Sequence, residues 1–385
     1  MKPAVDGAGP ARPSRRTVFG HLAAALAAGL AGTAHAEEAA AGAGAAPATC
    51  ACGLVDAHSH YLPPQYARAL DEAGLVTLDG GFPVPAWSEE QALQHMDRHG
   101  IEVSMLSVSS PTVGFVRDAL ARRRLARSVN TFAAELVRRK PDRFGAFATL
   151  PLPDVPAALE EIAHALDVLQ LDGVVMETNV HGIYLGDARL DPLFAELDRR
   201  RATLFLHPTS PPCLESVGLG RPAPILEFPM DTARTIADLL FAGTLTRYPR
   251  IRVIVPHAGG ALSALAERIA AFSTLPFLPQ RPAGGAQEVR SVLRALYYDL
   301  AGSASDDAIV RLRQLTTLDH VLFGSDFPFT PASAVAANVQ GVRTLRGLSR
   351  AEHEGIARGN ALRLFTRLAE RAGTTPTAAP PARGG

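Results

Sequence analysis

Short, nearly continuous apolar runs alternate with longer segments of helical periodicity between residues 53 and 370. Continuous apolar runs are typical of parallel strands that are buried on both faces. The segments between them, such as "SEEQALQHMDRHG" and "VPAALEEIAHALDVLQ", repeat their apolar residues at helical spacing. The eight runs are "LVDAH" from 54, "VSMLSVS" from 103, "FGAFATL" from 144, "GVVMETN" from 173, "ATLFLHP" from 202, "IRVIVPH" from 251, "YYDLAG" from 297 and "HVLFGSD" from 320.

Eight strand–helix alternations predict an α/β fold, a (β/α)8 TIM barrel that forms a single domain over residues 53–370. A doubly wound open sheet is the alternative. That fold would favour a glycine-rich phosphate loop after the first strand, and "DAHSHYLPP" is not such a loop.

The two ends of the chain are predicted to lie outside the barrel. Residues 1–36 contain Arg15 and Arg16, an Ala/Leu/Gly stretch and the small-x-small sequence "AHA", which together predict a cleaved twin-arginine signal peptide. A membrane anchor is the alternative, but the stretch is short, so we expect no stable anchor after cleavage. Residues 37–52 are an Ala/Gly-rich linker, and residues 371–385 are predicted to be a disordered tail.

Charge composition excludes one class of partner. Lys plus Arg and Asp plus Glu number 38 each, so the chain lacks the basic excess of a nucleic-acid-binding protein.

Polar side chains follow several of the apolar runs, where the carboxyl ends of barrel strands hold the chemistry of this fold. His58 and His60 are two apart, so both face one side of the first strand. His207 ends "TLFLH" and Asp326 ends "VLFGSD". Three imidazoles and one carboxylate suit one divalent ion, with Zn²⁺ expected and Mn²⁺ as the alternative.

Each of these residues also has an ordinary structural interpretation. A single histidine at a strand end is often a satisfied core residue, and Asp326 could cap a helix. The conjunction of the residues at separate strand ends favours the metal site. Asp56 lies two residues before His58, so its side chain is expected on the same face of the strand as the two histidines. It is predicted to support a metal ligand from one layer deeper, without itself binding the metal.

The chain resembles the amidohydrolase superfamily, in particular the branch of aminocarboxymuconate-semialdehyde decarboxylase and the nonoxidative aromatic-acid decarboxylases. Its nearest likeness is to 6-methylsalicylate decarboxylase-like proteins. The resemblance runs from about Leu54 to Leu368 and includes "DAHSH", "RFGAFATLPLPD", "LFLHPT", "RVIVPHAGG", "LFGSDFPF" and "GNALRLF".

The resemblance implies roles for individual residues. His58, His60, His207 and Asp326 would be the metal ligands, and His257 would be a catalytic histidine. Arg268, eleven residues further on, would bind a substrate carboxylate. In some members this arginine reaches the neighbouring subunit's site, so the resemblance implies a homodimer. By spacing alone Arg268 is an ordinary charged helix residue.

At two places the chain lacks a residue that other members of the superfamily carry, and each absence disfavours one reaction or substrate. The fourth strand ends in "METN", without the lysine of many hydrolytic members, and this disfavours a two-metal hydrolase site. "GGFPVPAWSEE" lacks an arginine that the semialdehyde decarboxylases carry, so their substrate is not expected. Trp87, Phe82 and "DFPF" instead offer apolar walls for an aromatic ring, although they could equally be core residues.

We therefore expect a metal-dependent nonoxidative decarboxylase of a hydroxylated aromatic or related unsaturated carboxylic acid, in which Asp326 or His257 delivers the proton. The alternatives are a hydrolase of a lactone, ester or C–C bond that uses water activated by the same metal, and a metal-binding barrel without activity. The signal predicts a periplasmic protein, or a cytoplasmic one if the signal is not used.

Overall fold

The computed structural model describes residues 53–371 and residue 373. The predicted signal peptide, the linker and nearly all of the tail lie outside these residues. Within the described part of the chain, no helix is both long and apolar enough to cross a membrane.

Eight parallel strands form one sheet in which each strand pairs with its neighbour in chain order. All eight correspond to the predicted apolar runs. The strands are β1 (Leu54–His60), β2 (Ile101–Ser107), β3 (Phe144–Thr149), β4 (Gly173–Glu177), β5 (Thr203–His207), β6 (Arg252–Val255), β7 (Tyr297–Asp299) and β8 (Val321–Leu322).

Helices connect the strands and surround the sheet. They are α1 (Pro64–Glu72), α2 (Glu89–His99), α3 (Ala119–Arg139), α4 (Val155–Ala163), α5 (Asp191–Arg199), α6 (Leu214–Val217), α7 (Ala223–Phe241), α8 (Thr244–Arg247), α9 (Leu262–Phe272), α10 (Gly285–Arg294), α11 (Asp306–Leu315), α12 (Ala332–Thr344), α13 (Arg350–Glu354), α14 (Asn360–Leu364) and α15 (Thr366–Arg371). The (β/α)8 barrel predicted from the alternation is confirmed.

The boundaries of α2 illustrate how local sequence sets these elements. The side chain of Ser88 accepts a hydrogen bond from the Gln91 N–H at 3.1 Å, which satisfies one of the free N–H groups of the first turn. Gly100 ends the helix at φ 68°, a conformation that glycine adopts without steric cost. The next residue begins β2.

Hydrogen bonds across the β1–β8 seam bring the first strand and the loop after the last strand together. The N–H of Ala57 donates to the carbonyl of Phe323 at 2.9 Å, and the N–H of His60 donates to that of Phe327 at 2.7 Å. This seam places the end of β1 beside Asp326, whose N–H donates to the His58 carbonyl at 2.8 Å. Two sequence-distant halves of the predicted site are thus joined by main-chain contacts.

The barrel interior is a packed core rather than a channel. Every strand contributes at least one buried apolar side chain to it, and Leu364 and Leu368 of the last two helices join it, with Phe365 between those helices. The strand residues are Val55, Ala57, Val103, Met105, Phe147, Val175, Phe205, Ile254, Tyr297 and Leu322. A ligand that reaches the predicted histidines therefore enters from the carboxyl ends of the strands.

Candidate metal centre

Four side chains from the ends of three strands converge at the carboxyl end of the barrel. One ligand atom from each of His58, His60, His207 and Asp326 lies within 4.8 Å of the others. The Nε2 atoms of His58 and His60 are 3.1 Å apart, and an Asp326 oxygen is 3.4 Å from the first and 3.0 Å from the second. Ligands about 2.1 Å from a tetrahedral ion lie roughly 3.4 Å apart, so this spacing fits one ion.

An irregularity in β1 aims the two histidines inward. The pairing with β2 shifts register between Asp56 and Ser59. Val55 and Ala57 face the interior core, and the His58 ring packs against Phe205 of the same core at 4.8 Å between ring centroids. Strict alternation would place Ala57 and His58 on opposite faces, and the irregularity removes that constraint.

The same irregularity corrects the strand-phase argument for Asp56. Its carboxylate accepts hydrogen bonds from the His58 N–H at 3.1 Å and from the N–H and hydroxyl of Ser325 at 2.9 and 2.5 Å. Asp56 therefore holds the backbone of one proposed ligand and the residue before another. Among the described residues it has no hydrogen bond to an imidazole ring.

Each of the three histidines has its Nδ1 atom hydrogen-bonded away from the cluster. His60 lies 3.2 Å from the carbonyl of Ser107 and His207 lies 2.9 Å from that of Pro208. His58 lies 3.0 Å from a carboxylate oxygen of Asp299. Carbonyl and carboxylate oxygens only accept, so the neutral rings of His58 and His207 carry the proton on Nδ1 and offer a lone pair at Nε2. The Nδ1 of His60 also lies 3.0 Å from the Ser107 hydroxyl, which can accept as well as donate and is compatible with the same tautomer. Three lone pairs and a carboxylate facing one point suit a divalent cation.

The charges of the cluster also favour a bound cation. Burial lowers the pKa of His58, but the nearby carboxylates of Asp299 and Asp326 outweigh that effect and raise it to about 10. Burial lowers the pKa of His60 and, more strongly, that of His207. Without a metal ion, the carboxylates thus favour a proton on His58, and a divalent ion would replace that proton.

Asp299, the last residue of β7, is a candidate functional residue that the sequence did not reveal. It is fully buried, and besides the His58 ring it accepts hydrogen bonds from the N–H groups of His257 at 3.0 Å and Ala301 at 2.9 Å. One carboxylate therefore orients a proposed ligand and anchors the proposed catalytic histidine. The signal was available, because Asp299 is a polar residue at a strand end, but the apolar run "YYDLAG" continues past it.

His257 and Asp326 form the open side of the centre. The Nε2 of His257 is 3.5 Å from an Asp326 oxygen, and their side chains are 24% and 21% exposed, whereas the ligand histidines are buried. Both residues have φ near +55°. Non-glycine residues rarely adopt this conformation, and where they do it is often at functional sites. These are the groups that a substrate would meet.

Of the aromatic residues predicted as apolar walls, Phe82 and Phe329 of "DFPF" lie near the centre, whereas Trp87 does not contact it. Phe329 lies 5.4 Å from the His60 ring, and Phe82 lies 6.1 Å from Phe329. Trp87 instead packs on Tyr61 and Phe132 at 6.1 and 6.3 Å, so its stacking partners belong to the protein core. The structure thus favours Phe329 and Phe82 as the apolar wall and the core interpretation for Trp87.

Arg268 is not brought to the centre within this chain. It lies on the exposed face of α9, where its guanidinium sits 4.3 Å from the Phe272 ring centroid.

Glu177 lies closer to the centre, because it pairs in register with His207, yet it does not join the four converging ligands. Burial raises the pKa of Glu177 to about 8, and the charge of Asp79 adds to the rise.

A buried histidine supports the loop that follows Asp326 and predicts a pH-dependent stability. The His95 ring stacks on Phe327 at 4.1 Å, and burial lowers its pKa from 6.5 to about 4. The unfolded chain therefore binds more protons between these values, and stability should fall as pH decreases from about 6.5 towards 4, by up to about 3 kcal/mol.

Denaturant unfolding of wild type and His95→Gln across this pH range measures the effect of His95 on stability. His164→Gln is the control, and an unchanged pH slope in His95→Gln would contradict the assignment.

Fold and cluster together define a barrel enzyme of the mononuclear metal-binding class. Residues 55–367 match the model of the amidohydrolase family, and the chain belongs to that family. It is 35% identical to the 6-methylsalicylic acid decarboxylase of Penicillium expansum over 317 residues, which is 82% of this chain and 96% of the relative. The family resemblance read from the sequence is confirmed.

Two further relatives extend the comparison to other aromatic acids. The gamma-resorcylate decarboxylase of Rhizobium radiobacter is 27% identical over 332 residues, covering 81% of this chain and 98% of the relative. A crystal structure of 2,6-dihydroxybenzoate decarboxylase with 2,6-dihydroxybenzoate is 25% identical and superposes with a TM-score of 0.70, covering 82% and 99% of the two chains.

Proposed function

We propose that this protein is a metal-dependent decarboxylase that removes CO₂ from a hydroxylated aromatic carboxylic acid. The observation that carries the proposal is the convergence of three Nε2 lone pairs and the Asp326 carboxylate, with His257 3.5 Å from that carboxylate on the open side. The relatives named for this reaction on 6-methylsalicylate and gamma-resorcylate support the choice of reaction and substrate class.

The proposed ligands are His58, His60, His207 and Asp326. A divalent ion held there would supply a positive charge that anchors and polarises oxygen atoms of the substrate. We propose Zn²⁺ as that ion, because a nitrogen-rich set of four ligands suits it, with Mn²⁺ as the alternative. Metal analysis of the purified protein separates the two.

The chain's own residues supply the proton. Decarboxylation replaces a carbon–carbon bond of the ring carbon by a carbon–hydrogen bond, so one proton must reach that carbon. His257 is hydrogen-bonded to Asp326 and is partly open to solvent, so it can take a proton from water and pass it to Asp326 or directly to the ring. The bond to the carboxylate then breaks, CO₂ leaves and the ring regains its aromaticity.

The site also positions the substrate. Phe329 beside His60, with Phe82 behind it, offers a hydrophobic wall along which an aromatic ring can lie. The packed barrel core beneath the histidines prevents the substrate from going deeper. A planar aromatic acid is therefore held with its polar edge towards the ligand cluster and its ring against Phe329.

A panel of acids tests the reaction. Metal-loaded protein is incubated with 6-methylsalicylate, 2,6-dihydroxybenzoate and benzoate, and CO₂ and the phenolic product are quantified. We expect turnover of at least one hydroxylated acid and none of benzoate, which lacks the hydroxyl group. Absence of CO₂ from every hydroxybenzoate would count against the proposal, and an acid product without CO₂ would favour the hydrolase.

We further propose a homodimer in which Arg268 of one chain binds the substrate carboxylate in the site of the other. Arg268 is exposed and lies outside its own chain's centre, as this role requires. The surface of the adjoining α7 exposes Ile225, Leu226 and Met230, which suits self-association. Arg268→Ala should raise KM without loss of metal, and sedimentation measures the oligomeric state. A monomer that retains full activity would contradict the proposal.

Finally, we propose export to the periplasm through the twin-arginine signal. Arg15 and Arg16 ahead of an apolar stretch support this proposal. Replacing both with lysine should retain the protein in the cytoplasm, as measured by fractionation. Full periplasmic recovery of that variant would contradict the proposal.

A further inference from the structure

A second cavity lies at the opposite end of the barrel from the metal centre. It is a cleft of about 350 Å³, bounded by the first residues of β4, β5 and β6 and by the end of α14 and start of α15. Its volume is that of a small-molecule site. Four arginines and two aspartates provide its charge, and the buried side chains of Leu166, Leu171, Leu364 and Phe365 lie behind them.

The two aspartates of this cleft already have cationic partners. Asp167 pairs with Arg200 at 2.5 Å, and Asp172 pairs with Arg371 at 3.2 Å and accepts a hydrogen bond from the Ala146 N–H at 3.0 Å. Asp172 also feels the charge of Arg367, but neither carboxylate forms an ion pair with Arg201, Arg252 or Arg367 among the described residues.

Three arginines of the cleft have no carboxylate partner within the described residues. Arg252 donates only to the carbonyls of Leu364 and Arg201, at 3.1 and 2.7 Å. Arg367 donates only to the carbonyls of Leu171 and Leu166, at 2.6 and 3.1 Å. The Arg201 side chain is exposed at the rim. We define Arg201, Arg252 and Arg367 as the arginine cleft.

The positive charges of the arginine cleft are energetically unfavourable without a bound anion. Burial lowers the pKa of Arg252, and the like charge of Arg201 lowers it further. The Nε atom of Arg252 is buried and has no hydrogen-bond partner among the described residues. A buried cation with an unsatisfied donor is unfavourable unless an opposite charge compensates it. An oxyanion in the cleft would offset the repulsion between Arg201 and Arg252 and would accept charge-assisted hydrogen bonds from guanidinium N–H groups other than the buried Nε.

We propose that the arginine cleft binds a small oxyanion, whose carboxylate or phosphate group contacts the guanidinium groups. This site is separate from the metal centre and does not depend on the proposed decarboxylation. The planar guanidinium fork favours oxygen pairs, which both carboxylate and phosphate offer.

Calorimetric titration of the metal-loaded full chain with inorganic phosphate, and in a second arm with benzoate, tests the proposal. We expect saturable binding of at least one anion and weakening of about tenfold in Arg201→Ala, which removes an exposed side chain and should leave the fold intact. Arg252→Lys keeps the charge but loses the fork, and should weaken the same anion. Arg199→Ala is the matched control, because Arg199 is exposed nearby and paired with Glu196.

The two arms distinguish the sources of the anion. Binding of phosphate that the cleft variants weaken assigns a phosphate group, and the same pattern for benzoate alone assigns a carboxylate. Binding that both cleft variants leave unchanged belongs to another site, such as the metal centre, and overturns the proposal. Absence of saturable binding of either anion overturns it as well.

Discussion

Asp326→Asn should lower kcat/KM for the hydroxylated acid by at least about a thousandfold, because Asp326 is both a proposed ligand and part of the proposed proton path. Its carboxylate lies 3.0 Å from the Nε2 of His60 and 3.5 Å from that of His257. The amide has the same shape, so the fold should persist, but it lacks the negative charge and cannot relay a proton as a carboxylic acid does.

Steady-state kinetics and metal analysis of the same preparation measure this effect. Asp307→Asn is the matched control, because Asp307 is exposed in the first turn of α11 and should retain wild-type turnover. Activity of Asp326→Asn within tenfold of wild type would exclude Asp326 from both roles.

Asp299→Asn should weaken metal binding by about 10- to 100-fold although the residue is not a proposed ligand. The carboxylate accepts three N–H groups, from the His58 ring and from the backbone of His257 and Ala301. An amide has one acceptor oxygen, so its NH₂ group must face one of these donors. If it faces His58, the ring adopts the other tautomer, in which Nε2 carries the proton and has no lone pair for a metal.

Competition with a chelator measures the metal affinity of Asp299→Asn, and Asp319→Asn is the control, because Asp319 lies outside the centre and pairs with His320. We expect the affinity of the control to match that of wild type. Wild-type affinity in Asp299→Asn would show that the hydrogen bond to His58 does not set its tautomer.

The barrel and the four converging side chains could be predicted because both depend on short-range patterns. Each apolar run is long enough to mark a buried strand, and His58, His60, His207 and Asp326 each follow or end such a run. Carboxyl ends of parallel strands meet at one end of a barrel, so strand order alone brings these residues together.

Other features depend on tertiary geometry that no local pattern carries. The irregularity in β1 changes the phase of Asp56 relative to His58, and strict alternation could not anticipate it. Trp87 lies in a loop whose packing on Tyr61 and Phe132 is set by distant helices. The three residues of the arginine cleft come from three separate segments of the chain, and their charge balance emerges only when these meet.

The central claim is that the protein decarboxylates a hydroxylated aromatic acid. It is tested most directly by following hydrogen and oxygen atoms from the solvent into the product. Metal-loaded protein is incubated with a hydroxylated aromatic acid that it consumes, once in ²H₂O and once in H₂¹⁸O, and the organic product is analysed by mass spectrometry and NMR. Decarboxylation predicts one deuterium at the ring carbon that bore the carboxylate, release of CO₂ and no ¹⁸O in the organic product. An organic product that carries ¹⁸O, without deuterium at that carbon and without CO₂, would contradict the account and indicate hydrolysis.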